Sequence, residues 1–316
     1  MKQANFPPPY SPSTGLNGSA YGTTTGVVAS APGVSVLTDA ERMTRLQGLA
    51  QRYELSGGAV CKLRQLEDYD IVIVADDSSS MTSLAHEVPK DNPYAMVPTR
   101  WQELCSRVAD IVEFATALDK DGIDIYFLNG GKHLNITQPE EARRLFEKTP
   151  NGYTPLKKTY QQVISDKLRS PDDKVLILVA TDGEPNVLKG NRWCKDTQGF
   201  IDCLTKREDP ARCPTSIMAC TDNKEEIGWL NKLDDSAPYL DVLDDYESEK
   251  NEVLTAQKNK ISFSKGDYIV KTLLGPIDEL YDNLDEKRLT RKQLAEYRGE
   301  EPPPERRFRL NKCTVL

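Results

Sequence analysis

The sequence lacks any apolar run longer than a β-strand, which excludes a membrane-spanning helix from its reading. It has only two histidines, His86 and His133, far apart and without companions, so neither is expected to act as a catalytic base. There is no Cys-x-x-Cys pair among the seven cysteines. The tightest group, Cys194, Cys203, Cys213 and Cys220, therefore lacks zinc-ligand spacing, and the odd, irregularly placed set reads as reduced thiols. A basic excess is also missing: 49 acidic residues against 41 basic ones leave a net charge of -8, which excludes nucleic acid as the expected partner. Between Gln3 and Thr38 no side chain is charged, and no apolar core of a secretory signal stands near the start. The expectation is a cytoplasmic protein.

Composition and periodicity divide the chain into four parts. Residues 1–38, rich in Pro, Ser, Gly and Thr, cannot bury enough apolar surface to offset chain entropy and read as a disordered leader. Residues 39–59 place Met43, Leu46, Leu49 and Ala50 on one face of an amphipathic helix starting at a Thr or Asp cap. Residues 60–290 alternate strand and helix. Strands are expected at 69–75, 122–128, 174–181, 215–220 and 239–243. Helices are expected near 99–118, 138–147, 154–168, 197–207, 223–234 and 267–284. Such alternation builds a mainly parallel sheet covered by helices on both faces. Residues 291–316 form a charged tail whose Glu300-Glu301-Pro302-Pro303-Pro304 is an extended spacer.

The first buried-strand candidate, Asp70 to Ala75, stops at Asp76-Asp77-Ser78-Ser79-Ser80. One carboxylate and two hydroxyls can converge there on a hard divalent cation. The second, Val175 to Thr181, also ends in an acid, Asp182-Gly183-Glu184, and between them Gly152-Tyr153-Thr154-Pro155 offers a third hydroxyl ahead of a helix. Together these pieces resemble the von Willebrand factor type A domain and its metal-ion-dependent adhesion site, over about residues 60 to 290. The resemblance implies an α/β, doubly wound, mainly parallel sheet of Rossmann-like form. It also implies Mg2+ or Mn2+ held by Asp76, Ser78, Ser80, Thr154 and Asp182. Asp-x-Ser-x-Ser alone is a weak signal, since both residue types are common in loops; the set in order is a specific one.

Neutral hydroxyls in that ligand set leave a cation under-neutralised, so an Asp or Glu carboxylate on a protein partner is the expected further ligand. The reading is thus a cation-dependent protein-binding module and not an enzyme. A metal-dependent hydrolase using the same strand ends is the alternative, and it wants an Asp-x-Asp pair or a lysine-rich phosphate cradle, neither of which the sequence carries near the motif. A third reading keeps the fold without metal, with Asp76 and the serines merely capping the following segment.

Both ends carry short signals. Cys313-Thr314-Val315-Leu316 has the form of a prenylation signal, with Leu favouring geranylgeranyl and Thr314 the imperfect position. Arg306, Arg307, Arg309 and Lys312 precede it, adding attraction to an anionic leaflet, so a lipid anchor on the cytoplasmic face of a membrane is expected. Pro7-Pro8-Pro9-Tyr10, through Pro7, Pro8 and Tyr10, has the form that WW-domain proteins bind.

Overall fold

Six strands make one sheet in the order β3-β2-β1-β4-β7-β8. These are β1 (Asp70–Ala75), β2 (Ile123–Phe127), β3 (Gly131–Ile136), β4 (Val175–Thr181), β7 (Thr215–Ala219) and β8 (Leu240–Leu243). All neighbours run parallel except β3, which lies antiparallel on the β2 edge. The computed structural model describes residues 38–301 apart from 89–91, 93, 119–120, 222, 224–227, 231–232 and 234–236. The two terminal signals, at Pro7 to Tyr10 and Arg306 to Cys313, and most of the helix expected near 223–234, lie outside the described residues.

Period-two alternation splits each central strand between two cores. In β1, Ile71, Ile73 and Ala75 join one apolar layer, while Val72 and Val74 join the other. In β4, Leu176, Leu178 and Ala180 face the first layer; Val175, Ile177 and Val179 face the second. The first layer is covered by α1 (Asp39–Arg52), α2 (Ala59–Leu63), α3 (Arg100–Ala115) and α8 (Lys265–Leu274); the second by α5 (Leu156–Lys167) and α6 (Thr197–Thr205). Each Val, Leu or Ile side chain so buried contributes about 1.5–3 kcal/mol. The molecule is therefore a mixed α/β protein with a mostly parallel sheet flanked by helices. Among the described residues no helix is long and apolar enough to cross a membrane.

Local signals account for most boundaries. α1 starts at Thr38, whose hydroxyl accepts from the Glu41 amide while Glu41 answers in a capping box, and it buries Leu46 and Leu49. α3 starts the same way, with Thr99 and Gln102. The helix expected over 267–284 is instead two, α8 and α9 (Glu279–Asp282), because Pro276 cannot donate to a helix running through it.

Several elements escape the sequence reading. Strand β3 is exposed along most of its length and has no apolar run to mark it. The hairpin of β5 (Asn186–Lys189) and β6 (Arg192–Lys195) sits in the long connection after β4. α4 (Pro139–Leu145) falls where expected, whereas α7 (Tyr246–Ala256) and α10 (Arg291–Arg298) do not belong to the expected set. α10 carries the folded unit past residue 290, where the tail was expected to begin. Its Ala295 and Tyr297 are buried, and the Tyr297 carbonyl accepts from the Gly58 amide at 3.0 Å.

Candidate metal centre

The sheet order reverses at β1. From there the chain passes outward through β2 to one edge, and from β4 through β7 and β8 to the other. The carboxyl ends of β1 and β4 thus flank the switch point, the place where open α/β sheets generally bind ligands. Asp76 follows β1 directly and Asp182 follows β4 directly.

Four of the five expected ligands meet there. The Ser78 and Ser80 hydroxyl oxygens are 3.0 Å apart, and Ser80 donates to Asp182 Oδ1 at 2.8 Å. Asp76 Oδ1 accepts the Ser78 amide at 2.9 Å, and its Oδ2 accepts the Thr181 hydroxyl at 2.7 Å. Thr154, the fifth, lies buried on the neighbouring loop. That loop is fastened to the first one: the Gly152 carbonyl accepts the Ser79 amide at 3.3 Å, and the Asp77 carbonyl accepts the Asn151 amide at 2.8 Å.

Asp76 is fully buried, and Asp182 is 1% exposed. Burial first, and then the neighbouring Asp182 charge, push the Asp76 carboxyl up to about 7, against the pull of Thr181 and Ser78. Two adjacent buried carboxylates with hydroxyls beside them form a hard-oxygen donor set whose mutual repulsion a divalent cation would relieve. The residues therefore fit Mg2+ or Mn2+, with Asp76, Ser78, Ser80 and Asp182 as the holders; Thr154 lies on the loop that is bonded to theirs.

Three supports were not legible in the sequence. Asp77, the other member of the acidic doublet, accepts from the Asn129 amide at 2.7 Å and from its side-chain nitrogen at 2.9 Å, tying the loop to the end of β2. Gly152 adopts φ +125°, and a Cβ there would come within 2.5 Å of Asn129. On the far side, Asn186 of β5 donates its amide to the Thr154 carbonyl at 2.7 Å, and Tyr153 stacks on Trp193 of β6 at 4.5 Å. The hairpin and the Thr154 loop are thus one piece.

The third support is Arg100, the first residue of α3. Its Nη1 donates to Asp182 Oδ2 at 2.8 Å, with the side chain about nine-tenths buried. A Thr-Arg dipeptide at a helix start offers no cue that its side chain reaches a strand end 82 positions away.

Other expected and unexpected groups lie elsewhere. His86 Nε2 is 3.5 Å from Glu103, and the His133 ring stands edge-on to Phe127. Among the described residues, the one group of three or more His, Cys, Asp or Glu side chains close enough to share an ion is Glu249, Glu252 and Asp285, and the four cysteines 194, 203, 213 and 220 form none. In that acidic group the buried Lys271 ammonium already lies 3.2 Å from both Glu249 and Asp285 and 3.3 Å from Asp241. One lysine ammonium of the protein's own core thus already pairs with two acids of that group.

No protein-family model and no curated protein matches the chain. Among solved structures it is similar to the PilB minor pilin from Streptococcus sanguinis, at 11% identity and a TM-score of 0.42, over 56% of this chain and 57% of that one. The D319A mutant of that pilin gives the same identity and coverage and a TM-score of 0.44. Proximal thread matrix protein 1 from the mussel byssus gives 15% identity and a TM-score of 0.36, over 66% of this chain and 48% of that one. The chain spans less than two thirds of each of these proteins. Likeness at this level assigns neither family nor function.

Proposed function

We propose that the protein is a von Willebrand factor A-type module that holds Mg2+ or Mn2+ at Asp76, Ser78, Ser80, Thr154 and Asp182 and thereby grips a carboxylate on a partner protein. The observation that carries this reading is the bonded set Asp76, Ser78, Ser80 and Asp182 at the switch point of the sheet. A bound cation would supply an electron-poor centre for an Asp or Glu side chain, since the hydroxyl ligands bring no charge. Ser80 is exposed, which leaves the site open on that side. Half-exposed Tyr153, backed by Trp193, borders the Thr154 loop and provides apolar surface of the kind that protein interfaces enrich.

The chain ends extend the proposal. Cys313 with Arg306, Arg307, Arg309 and Lys312 would tether the module to the cytoplasmic face of a membrane, and Pro7, Pro8 and Tyr10 would engage a WW-domain protein.

Calorimetric titration of Mg2+ and Mn2+ into the wild type and Asp76→Ala tests the site. Saturable heat in the wild type and none in a folded Asp76→Ala is the expected result. Equal heats in both proteins would refute it, and metal-dependent turnover of phosphate esters abolished by Asp76→Ala would replace it with the hydrolase.

A further inference from the structure

Beside the serine loop lies an open cavity of about 430 Å3, within the usual size range of ligand pockets. The end of β2 and its turn into β3 form part of its wall, and the end of α4 with the segment that follows forms another. Trp101 and Phe127 give it an apolar side, with ring centroids 5.9 Å apart. The Trp101 indole is fixed there, because its Nε1 donates to the Phe146 carbonyl at 2.8 Å. His133, placed by the pairing of β3 on β2, stands edge-on to Phe127 at 5.7 Å. The charged or titratable side chains of the lining are Asp77, His133, Arg144 and Lys148. Arg144 and Lys148 are exposed, and among the described residues neither pairs with a carboxylate. The acids of α4 are engaged elsewhere: Glu140 meets Arg143 at 3.3 Å, and Glu141 accepts the Thr137 and Gln138 amides. Glu147 is not part of the lining. Asp77 belongs to the serine-loop wall, is 8% exposed, and its Oδ1 accepts from both nitrogens of Asn129 at 2.7 and 2.9 Å.

We propose that this cavity binds an aryl phosphate, its ring against Trp101, Phe127 and His133 and its phosphate at Arg144 and Lys148. The chemistry of the wall selects each half of that ligand. An aryl phosphate is close to a dianion at neutral pH, so it can use both cations, whereas a carboxylate uses one. The Arg144 guanidinium also offers a fork of N–H donors that matches phosphate oxygens. Asp77 repels the phosphate and so keeps it at the α4 end of the cavity. What then faces Asp77 is the ring, whose edge is electropositive and suits a carboxylate. Inorganic phosphate would bring the charge without the ring and leave the aromatic side unused. Two sources share this chemistry, a free aryl phosphate and a phosphorylated tyrosine on a polypeptide. The inference does not rest on the metal-binding reading, although the two sites adjoin: Asp77 is next to Asp76, and its carbonyl accepts the Asn151 amide at 2.8 Å.

The test is calorimetry on the full chain in the presence of a metal chelator, so that the outcome is separate from that of the metal site. The probes are phenyl phosphate, inorganic phosphate and a blocked Gly-phosphotyrosine-Gly peptide. Phenyl phosphate should bind saturably, and at least about tenfold more tightly than inorganic phosphate. The double variant Arg144→Gln/Lys148→Gln should bind it at least about tenfold more weakly than the wild type, since bonds to a charged group are lost. Both positions are exposed, so the variant is expected to fold as the wild type does. Tighter binding of the peptide than of phenyl phosphate supports the site and identifies a polypeptide as the source; binding of phenyl phosphate alone supports it and identifies a free small molecule. No binding of phenyl phosphate or the peptide by the wild type overturns the inference. So does equal binding by the double variant, or inorganic phosphate bound as tightly as phenyl phosphate.

Discussion

The Ser80 hydroxyl lies 2.8 Å from a carboxylate oxygen of Asp182, although 102 positions of chain separate them. This one bond joins the loop after β1 to the loop after β4 across the switch point. Because Ser80 also meets Ser78 and Asp182 also meets Arg100, the contact links the motif to α3. A change on either loop should therefore be felt on the other.

Thr181→Val is the sharpest probe of how Asp76 is held. It keeps the shape of the β4 end but removes the hydroxyl that donates to Asp76 Oδ2 at 2.7 Å in a buried place. A lost buried bond to a carboxylate costs about 1.5–3 kcal/mol. Urea denaturation should show a loss of that size; a change below about 0.5 kcal/mol would mean that the bond contributes little to holding the site.

Gly152→Ala should lower stability and loosen the site together. The residue needs φ +125°, and its Cβ would press on Asn129, which in turn holds Asp77. A cost of about 1–3 kcal/mol is expected, with weaker Mn2+ binding. Gly48→Ala is the control, since a Cβ there meets nothing within 4 Å and the site lies in α1; it should be neutral or stabilising by up to about 1 kcal/mol. Mn2+ affinity unchanged in a folded Gly152→Ala would separate the loop from the site.

Stability should also depend on pH through Glu249. Burial, foremost, pushes this carboxyl up to about 7 from an ordinary 4.5, and the attraction of Lys271 does not bring it back down, with Asp285 adding repulsion. The folded protein thus holds the proton more tightly than the unfolded chain. Stability from this group is full below pH 4.5 and is lost as pH rises through about 7. Relative to Glu249→Gln, the wild type should lose roughly 3–6 °C in Tm between pH 5 and pH 8. Asp76 shifts in the same direction but is common to both proteins, so it cancels in the comparison. A pH-independent difference in Tm would rule out Glu249 as the titrating group.

At the C-terminus, Cys313→Ser should move the protein from the membrane to the soluble fraction. Neutralising Arg306, Arg307, Arg309 and Lys312 together should give partial release that grows with salt, because only the electrostatic share is screened. An intact mass with Thr-Val-Leu still attached and no isoprenoid would end the idea.

What the sequence by itself determined is whatever depends on neighbours along the chain. Runs such as Ile71 to Ala75 and Val175 to Ala180 can only be strands buried on both faces, and five strands stand within a residue or so of their expected bounds. Asp76, Ser78 and Ser80 share one loop, so their convergence was legible from spacing alone. Only the tertiary structure decided which charges meet. Arg100 reaches Asp182, Lys271 collects Asp241, Glu249 and Asp285, and Asp77 takes Asn129, each across more than ten positions. Strand β3 was likewise decided by pairing, since its exposed residues gain their order from the β2 edge. The reason is physical: apolar periodicity is imposed locally by backbone geometry, whereas an ion pair or an edge pairing needs only that two groups be brought together. A charged side chain reads the same in the sequence whether it ends in solvent or, like Arg100 and Lys271, against a buried carboxylate.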